Sequence, residues 1–350
     1  MKRALQLAEN GRGTVSPNPM VGCVIVADGE IIGEGWHRRY GQAHAEVEAV
    51  RDTVARGLGH RLEGATAYVS LEPCSHFGKT PPCADLLVSN RLGRVVIANV
   101  DPNPAVAGRG IARLEHAGIA VVKGVLEKEG DALNSRFFCG MTRKRPYVIL
   151  KWAESRDGYL GFPGIRTKIS DTLTDALVHK WRTQEDAILV GKNTVAADNP
   201  RLNVRHWTGI NPVRIVLDHQ LSTAHEQFNV FDRDQPTIFV NSLKGSENFP
   251  SRYQDSQGGF EPGYLKIDPS ADELVEMLEK LHRIGIGSIL VEGGAMVLNS
   301  FLQKGLWDEI RVIRGSIVLG RGVRAPRPEG ILVREQTVGR DQISYFSSPK

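Results

Sequence analysis

Residues 71–83 read LEPCSHFGKTPPC, which puts Cys74 and Cys83 nine positions apart among three prolines, a histidine and a lysine. Thirty positions before Cys74 stands His44-Ala45-Glu46. A disulfide, a structural metal knuckle and one side of a catalytic site are the three readings to weigh. Two thiolates and one imidazole are good zinc donors, but a structural zinc site normally takes four. With no knuckle-spaced fourth ligand, the open position could hold water. Glu46, two residues after His44, is near enough to reach that water without becoming a ligand. A zinc-bound water has its pKa lowered to about 7, and a carboxylate can take its proton and return it to a leaving amine.

Composition narrows the setting. Four cysteines in 350 residues cannot form a disulfide framework of the kind that staples small secreted domains. The start, MKRALQLAENGRG, lacks the apolar core of a signal peptide, and no run approaches the roughly 18 apolar residues of a membrane span. A cytoplasmic protein without membrane attachment is expected. A net charge of +4, from 44 basic and 40 acidic residues scattered along the chain, gives no reason to expect nucleic acid as a partner. A phosphorylated small substrate would suit local basic clusters.

The elements that must position these residues alternate. Residues 21–27 and 31–36 form a hairpin around Asp28-Gly29, and valines at helical spacing predict a helix over 44–56. Strands over 65–71, 94–100 and 119–122 and helices over 83–90 and 109–117 complete one α/β domain. His44 and Cys83 thus fall where helices begin, a setting that favours anionic sulfur. Pro81 and Pro82 cannot extend the second helix backwards. Cys23 and Cys139 read as buried apolar residues. The basic, proline-terminated segment 140–146 marks the boundary, giving domains 1–143 and 144–350. Beyond it, strands are expected at 147–152, 187–190, 213–218, 237–240, 288–291 and 309–313, with helices at 171–181, 271–284 and 295–304. Loops dominate 220–264, and a hairpin around Gly339-Arg340 closes the chain.

Residues 288–300, SILVEGGAMVLNS, run from strand through a diglycine turn into a helix. Glycines let backbone amides approach a pyrophosphate and the helix N-terminus favours its charge, although such a turn alone is more often only a tight turn.

Zinc deaminases of bases and nucleotides are marked by H-x-E followed by P-C-x-x-C. Here the second cysteine comes later, with SHFGKTPP inserted. The combination of HAE, EPCSHFGKTPPC, PNPMVGCVIV and DPNPAVAGRG resembles the bifunctional riboflavin-biosynthesis enzyme, an aminopyrimidine deaminase joined to a uracil reductase. KWAESRDG, ILVGKNTVAADNPRLNVR, PVRIVLD and LVEGGAMVL resemble its reductase half. The resemblance implies a cytidine-deaminase-like three-layer domain followed by a dihydrofolate-reductase-like domain. It implies zinc on His44, Cys74 and Cys83, with Glu46 as proton shuttle. Asn18, His76, Lys79, Asp101 and Asn103 would contact the first substrate. It further implies NADPH on Thr194, Asp198, Gly294, Ala295, Met296, Val297, Leu298, Asn299 and Ser300. Arg182, Leu202, Arg205 and Glu292 would hold the second substrate, arginine suiting a phosphate because its planar guanidinium bonds two oxygens.

The chemistry implied is deamination of diaminohydroxyphosphoribosylaminopyrimidine by zinc hydroxide, then reduction of the ribosylamino group of 5-amino-6-(5-phosphoribosylamino)uracil to ribitylamino. A homo-oligomer, dimer or tetramer, is expected. Lys168 departs from the family's usual aromatic residue. The competing readings are a zinc deaminase of another base or nucleotide fused to a different reductase, and a binding module whose zinc is structural.

Overall fold

Asp28 and Gly29 both adopt positive φ, 51° and 81°, as a two-residue hairpin turn requires. They join β1 (Gly22–Ala27) to β2 (Glu30–Trp36). The structure, a computed structural model, describes residues 1–75, 81–103, 106–254, 258–269 and 272–349. It divides into two units, Met1–Lys144 and Arg145–Lys350.

In the first unit, α1 (Lys2–Glu9) precedes the hairpin, and α2 (Ala45–Ala55), β3 (Thr66–Leu71), α3 (Cys83–Ser89), β4 (Arg94–Asn99), α4 (Arg109–His116) and β5 (Ala120–Val122) follow it. Then come α5 (Glu127–Leu133) and α6 (Ser135–Arg143). The sheet order is β2-β1-β3-β4-β5. β1 runs antiparallel to β2 and β3, while β3, β4 and β5 are parallel. Alternation along β1 separates the layers. Cys23 and Ile25 join Ala45, Ala49, Leu87 and Leu114 from α2, α3 and α4, whereas Val24 faces Ala4 and Leu7 of α1. The unit therefore has three layers, as expected. The segment expected as a linker is partly helical: Gly140–Arg143 closes α6, where Cys139 and Gly140 are buried.

The second unit comprises β6 (Tyr147–Glu154), β7 (Tyr159–Gly161), α7 (Thr172–Gln184), β8 (Ala187–Gly191), α8 (Lys192–Asp198), β9 (Val213–Leu217), β10 (Thr237–Asn241) and β11 (Gly263–Lys266). It continues with α9 (Glu273–Arg283), β12 (Ser288–Val291), α10 (Ala295–Gln303), β13 (Glu309–Arg314), β14 (Val323–Arg324), β15 (Ile331–Val338) and β16 (Asp341–Ser347). The main sheet has the order β11-β10-β9-β8-β12-β6-β13-β16-β15, parallel until β16 pairs antiparallel to β13. Its central strands β8, β10 and β12 are buried along their whole length, as parallel strands covered on both faces must be. One face packs on α9 and α10 through Leu274, Met277, Leu278, Leu281, Leu298 and Phe301. The expected closing hairpin is present, turning at Gly339 with φ 59°.

The first residue of this unit is firmly held. Arg145 donates two hydrogen bonds to Asp308, Nη1 to Oδ2 at 2.6 Å and Nη2 to Oδ1 at 2.8 Å. Asp308 Oδ2 also accepts the Val148 amide at 2.8 Å, so the entry to β6 is tied to the start of β13.

Candidate active sites in the two units

In the first unit three elements deliver the donors. His44 caps α2 with extended backbone (φ −76°, ψ 164°), which sends the chain into the helix with Glu46 in its first turn. Gly35 on β2 lets α2 press close, because a Cβ there would collide with the main chain of Ala45 and Ala49. Cys74 follows β3 after Glu72-Pro73, and Cys83 opens α3 behind Pro82, its N-cap. His44 Nδ1 lies 3.6 Å from Cys74 Sγ and 3.3 Å from Cys83 Sγ, and the three donor atoms are all within 4.8 Å of one another. A tetrahedral ion at ordinary zinc–nitrogen and zinc–sulfur lengths separates N from S by about 3.5 Å, so these residues fit zinc as they stand. The four cysteines are free, which removes the disulfide reading.

Charge is tightly arranged around this trio. The Cys74 thiol is pushed down to about 4, first by the hydrogen bond from Cys83 and then by His44. Cys83 is pushed well above its usual range as the donor in that pair and by burial. Cys83 N–H also donates to Cys74 Sγ at 3.3 Å. Glu46 is only 3% exposed, and burial, reinforced by the Cys74 charge, raises its carboxyl to about 7. It contacts the Cys83 thiol.

Asn18 is half-buried, its Nδ2 3.3 Å from His37 Nε2, and the His37 ring stands edge-on to His44 at 5.6 Å. Asp101 is buried, and its Oδ1 accepts the Asn103 amide at 2.8 Å. His76 and Lys79 lie outside the described residues. Sequence reading did not single out His37, buried behind His44, or Glu72, which holds the start of α4. A glutamate next to Pro-Cys was visible, but nothing in its type disclosed its partners.

In the second unit the diglycine turn does leave β12 and enter α10 at Ala295. Glu292 N–H donates to Leu189 O at 2.9 Å, and Gly294 N–H donates to Thr194 Oγ1 at 3.1 Å, which joins the turn to α8. A cavity of about 600 Å³ is lined by Thr194, Asp198, Gly294, Ala295, Met296, Val297 and Ser300 among others. A second, of about 340 Å³, is lined by Lys151, Lys168, His179, Arg182, Arg205 and Glu292, and shares Thr194, Asp198 and Gly294 with the first. Leu298 and Leu202 point into the core, so any contact they make with a ligand is through the main chain. Asn299 is exposed and lines neither cavity.

Arg182 and Glu292 form a buried ion pair. Arg182 Nε and Nη2 each donate to Glu292 at 2.9 Å, and Lys151 Nζ donates to Glu292 Oε2 at 3.2 Å. Burial alone would raise the Glu292 carboxyl, but Arg182 and Lys151 outweigh it and hold it far below the carboxylate range. His179 Nδ1 accepts the Arg205 amide at 3.2 Å and so places that arginine. Burial, with Arg182 and Arg205 nearby, lowers His179 to about 4. Lys168 forms an ion pair with Asp175, which also accepts from Ser170 Oγ. Neither Lys151 nor His179 was foreseen. His179 lies three residues before Arg182 on one helix face, a signal available in the sequence.

Comparison with known proteins agrees with this geometry. Residues 1–99 match the cytidine and deoxycytidylate deaminase zinc-binding region, and residues 146–344 match the RibD C-terminal domain. The riboflavin biosynthesis protein RibD of Aquifex aeolicus is 37% identical, with 99% of this chain and 97% of the relative covered. That of Escherichia coli is 39% identical over 93% of this chain and 89% of its own. A Thermotoga maritima crystal structure is described as a diaminohydroxyphosphoribosylaminopyrimidine deaminase/5-amino-6-(5-phosphoribosylamino)uracil reductase. It superposes with a TM-score of 0.87 at 35% identity, covering 99% of this chain and 97% of its own. RibD of Acinetobacter baumannii gives 0.84 at 34%, over 100% and 98%. With both domains matched in order and identity of this level along nearly the whole length, the chain belongs to the RibD family of bifunctional riboflavin-biosynthesis proteins, a zinc-binding deaminase domain joined to a reductase domain.

Proposed function

We propose that the first unit deaminates diaminohydroxyphosphoribosylaminopyrimidine and that the second reduces the resulting phosphoribosylaminouracil with NADPH, converting its ribosylamino group to ribitylamino. The observation that carries this reading is the convergence of His44, Cys74 and Cys83 beside a buried Glu46. His44, Cys74 and Cys83 would hold zinc, which would supply Lewis acidity for activating a water near neutral pH. Glu46, buried in the first turn of α2 beside the three ligands, accepts the proton of the attacking water and passes it to the departing amine. Asn18, Asp101 and Asn103 orient the base and its sugar phosphate, and His76 and Lys79 complete that set from the sequence pattern.

In the second unit, NADPH supplies the hydride. Thr194, Asp198, Gly294, Ala295, Met296, Val297 and Ser300 would bind it, Leu298 through main chain only, while Asn299 stands outside the cavity; the diglycine turn and the start of α10 would suit its pyrophosphate. Arg205 binds the substrate phosphate, Arg182 and Glu292 line the adjoining wall, and Leu202 contributes main chain. The protein orients the two reactants and excludes water. The partner class is a small phosphorylated pyrimidine, with no nucleic acid and no membrane, in a cytoplasmic homo-oligomer. Among the described residues, no helix is long and apolar enough to cross a membrane.

The test is to incubate the purified chain with the diaminopyrimidine phosphate, first without and then with NADPH, while following ammonia and cofactor absorbance. Ammonia in the first stage and NADPH oxidation only in the second are expected. Removing the metal with a chelator should stop ammonia release and leave reduction of separately supplied aminouracil unaffected. Ammonia release that survives complete metal removal would refute the assignment.

A further inference from the structure

Glu72 is buried beside the metal-ligand set, 4% exposed, yet it is neither one of those ligands nor a residue expected to touch substrate. It follows β3 directly, and its own amide donates to Asn99 O at the end of β4 at 3.0 Å. Its carboxylate accepts four main-chain amides from one downstream stretch. Oε2 takes Asp101 N–H at 3.3 Å and Gly108 N–H at 3.0 Å, while Oε1 takes Gly110 N–H at 2.9 Å and Ile111 N–H at 3.3 Å. The last two belong to the first turn of α4, where amides have no partner within the helix. One oxygen therefore gathers residues 101 and 108, and the other fixes the helix that follows. Only Pro73 separates this carboxylate from Cys74. Gly110 closes the same junction from the other side, since a Cβ there would collide with Pro73 O.

The geometry points to Glu72 as a positioning residue of the deaminase reaction, whose carboxylate locks Asp101 and Asn103 in register with the Cys74 metal ligand. The inference rests on the deaminase reading of this unit. Asp101 passes the constraint on, because its Oδ1 accepts the Asn103 amide at 2.8 Å. A carboxylate suits the place for a simple reason: it offers only acceptors, and all four groups facing it are donors. Glutamine has the same shape but turns an amide NH₂ toward two of those donors.

The test compares the wild-type full chain with Glu72→Gln and, separately, Gly110→Ala, which displaces α4 by steric contact without altering a charge. Ammonia release is measured against concentration of the diaminopyrimidine phosphate, together with zinc content and with NADPH oxidation on separately supplied aminouracil. Both variants should keep wild-type zinc content and wild-type reduction. Their deaminase KM should rise about tenfold to a hundredfold, the scale expected for a small misplacement of binding groups, and kcat should fall by less. An unchanged KM in both variants overturns the inference. So does loss of zinc in step with activity at constant KM, which would make Glu72 a support of the metal site alone. Wild-type protein that releases no ammonia from this compound would instead overturn the deaminase reading, and the inference with it.

Discussion

Replacing Glu292 by glutamine should destabilise the second unit substantially while preserving the volume of the side chain. The carboxylate is 9% exposed and receives three charged hydrogen bonds, two from Arg182 and one from Lys151. The neutral amide would leave two buried cations facing each other with one acceptor oxygen between them. Breaking a buried ion pair from one side costs about 3–5 kcal/mol. In urea, with a slope of about 1–3 kcal/mol per molar, that loss corresponds to a midpoint lower by about 2 M at unchanged slope. Tryptophan fluorescence suits the measurement, since Trp152, Trp181, Trp207 and Trp307 all lie in this unit and only Trp36 in the other. The pH dependence gives an independent check. Because the folded carboxyl sits far below its unfolded value, its contribution is complete above the unfolded pKa and is lost only as pH falls through the folded one. The gap between wild type and variant should therefore hold from neutrality to about pH 4.3 and narrow below it. A midpoint shift under about 0.5 M, or a gap equally wide at pH 3 and pH 7, would refute this account.

Other outcomes follow from the same geometry. Glu46→Gln should retain wild-type metal content, measured by elemental analysis, and lose about 10²- to 10⁴-fold in ammonia release with reduction unaffected; full deamination would remove Glu46 from proton transfer. Arg205→Ala should raise the reductase KM for the phosphorylated substrate about tenfold or more without changing KM for NADPH, and an unchanged substrate KM would take Arg205 out of the phosphate site. His179, held near 4 when folded, takes up its proton more readily in the unfolded chain, so its stabilising effect is complete above about pH 6.5 and is lost as pH falls toward 4. His179→Gln should flatten the decline in stability of the second unit across that interval, as followed by urea titrations at successive pH values; identical slopes for the two proteins would contradict the cause assigned here.

The metal site was legible because its donors are scarce residue types at telling positions: His44 and Cys83 at helix starts, and Cys74 just past the end of a strand. The three-layer arrangement was expected from the family resemblance; in β1 the sequence showed only a continuous apolar run, and the fold shows its alternate residues packing on opposite layers. Burial of common residues could not be read in this way. Lys151, Arg182 and Glu292 are ordinary surface types, and only the fold shows that they form one buried cluster. Short elements were equally opaque. α8 has seven residues and buries only Val195, too little for a helical period, and β11 has four residues in a stretch rich in polar residues and glycine. α6 was obscured by a glycine within it and a basic, proline-ended tail. β15 was recognisable by the turn that precedes β16, since its own residues 331–335 are all exposed and show no alternation.

The grip of Asp308 on Arg145 bears on how the two catalytic halves can be separated. The recognisable reductase sequence begins at residue 146, one position too late. A half-enzyme started there would leave Asp308, 6% exposed, without the Arg145 guanidinium and with the Val148 amide still donating to it. Cutting one residue earlier keeps the charge neutralised, so a gene split for independent expression belongs before Arg145 rather than after it.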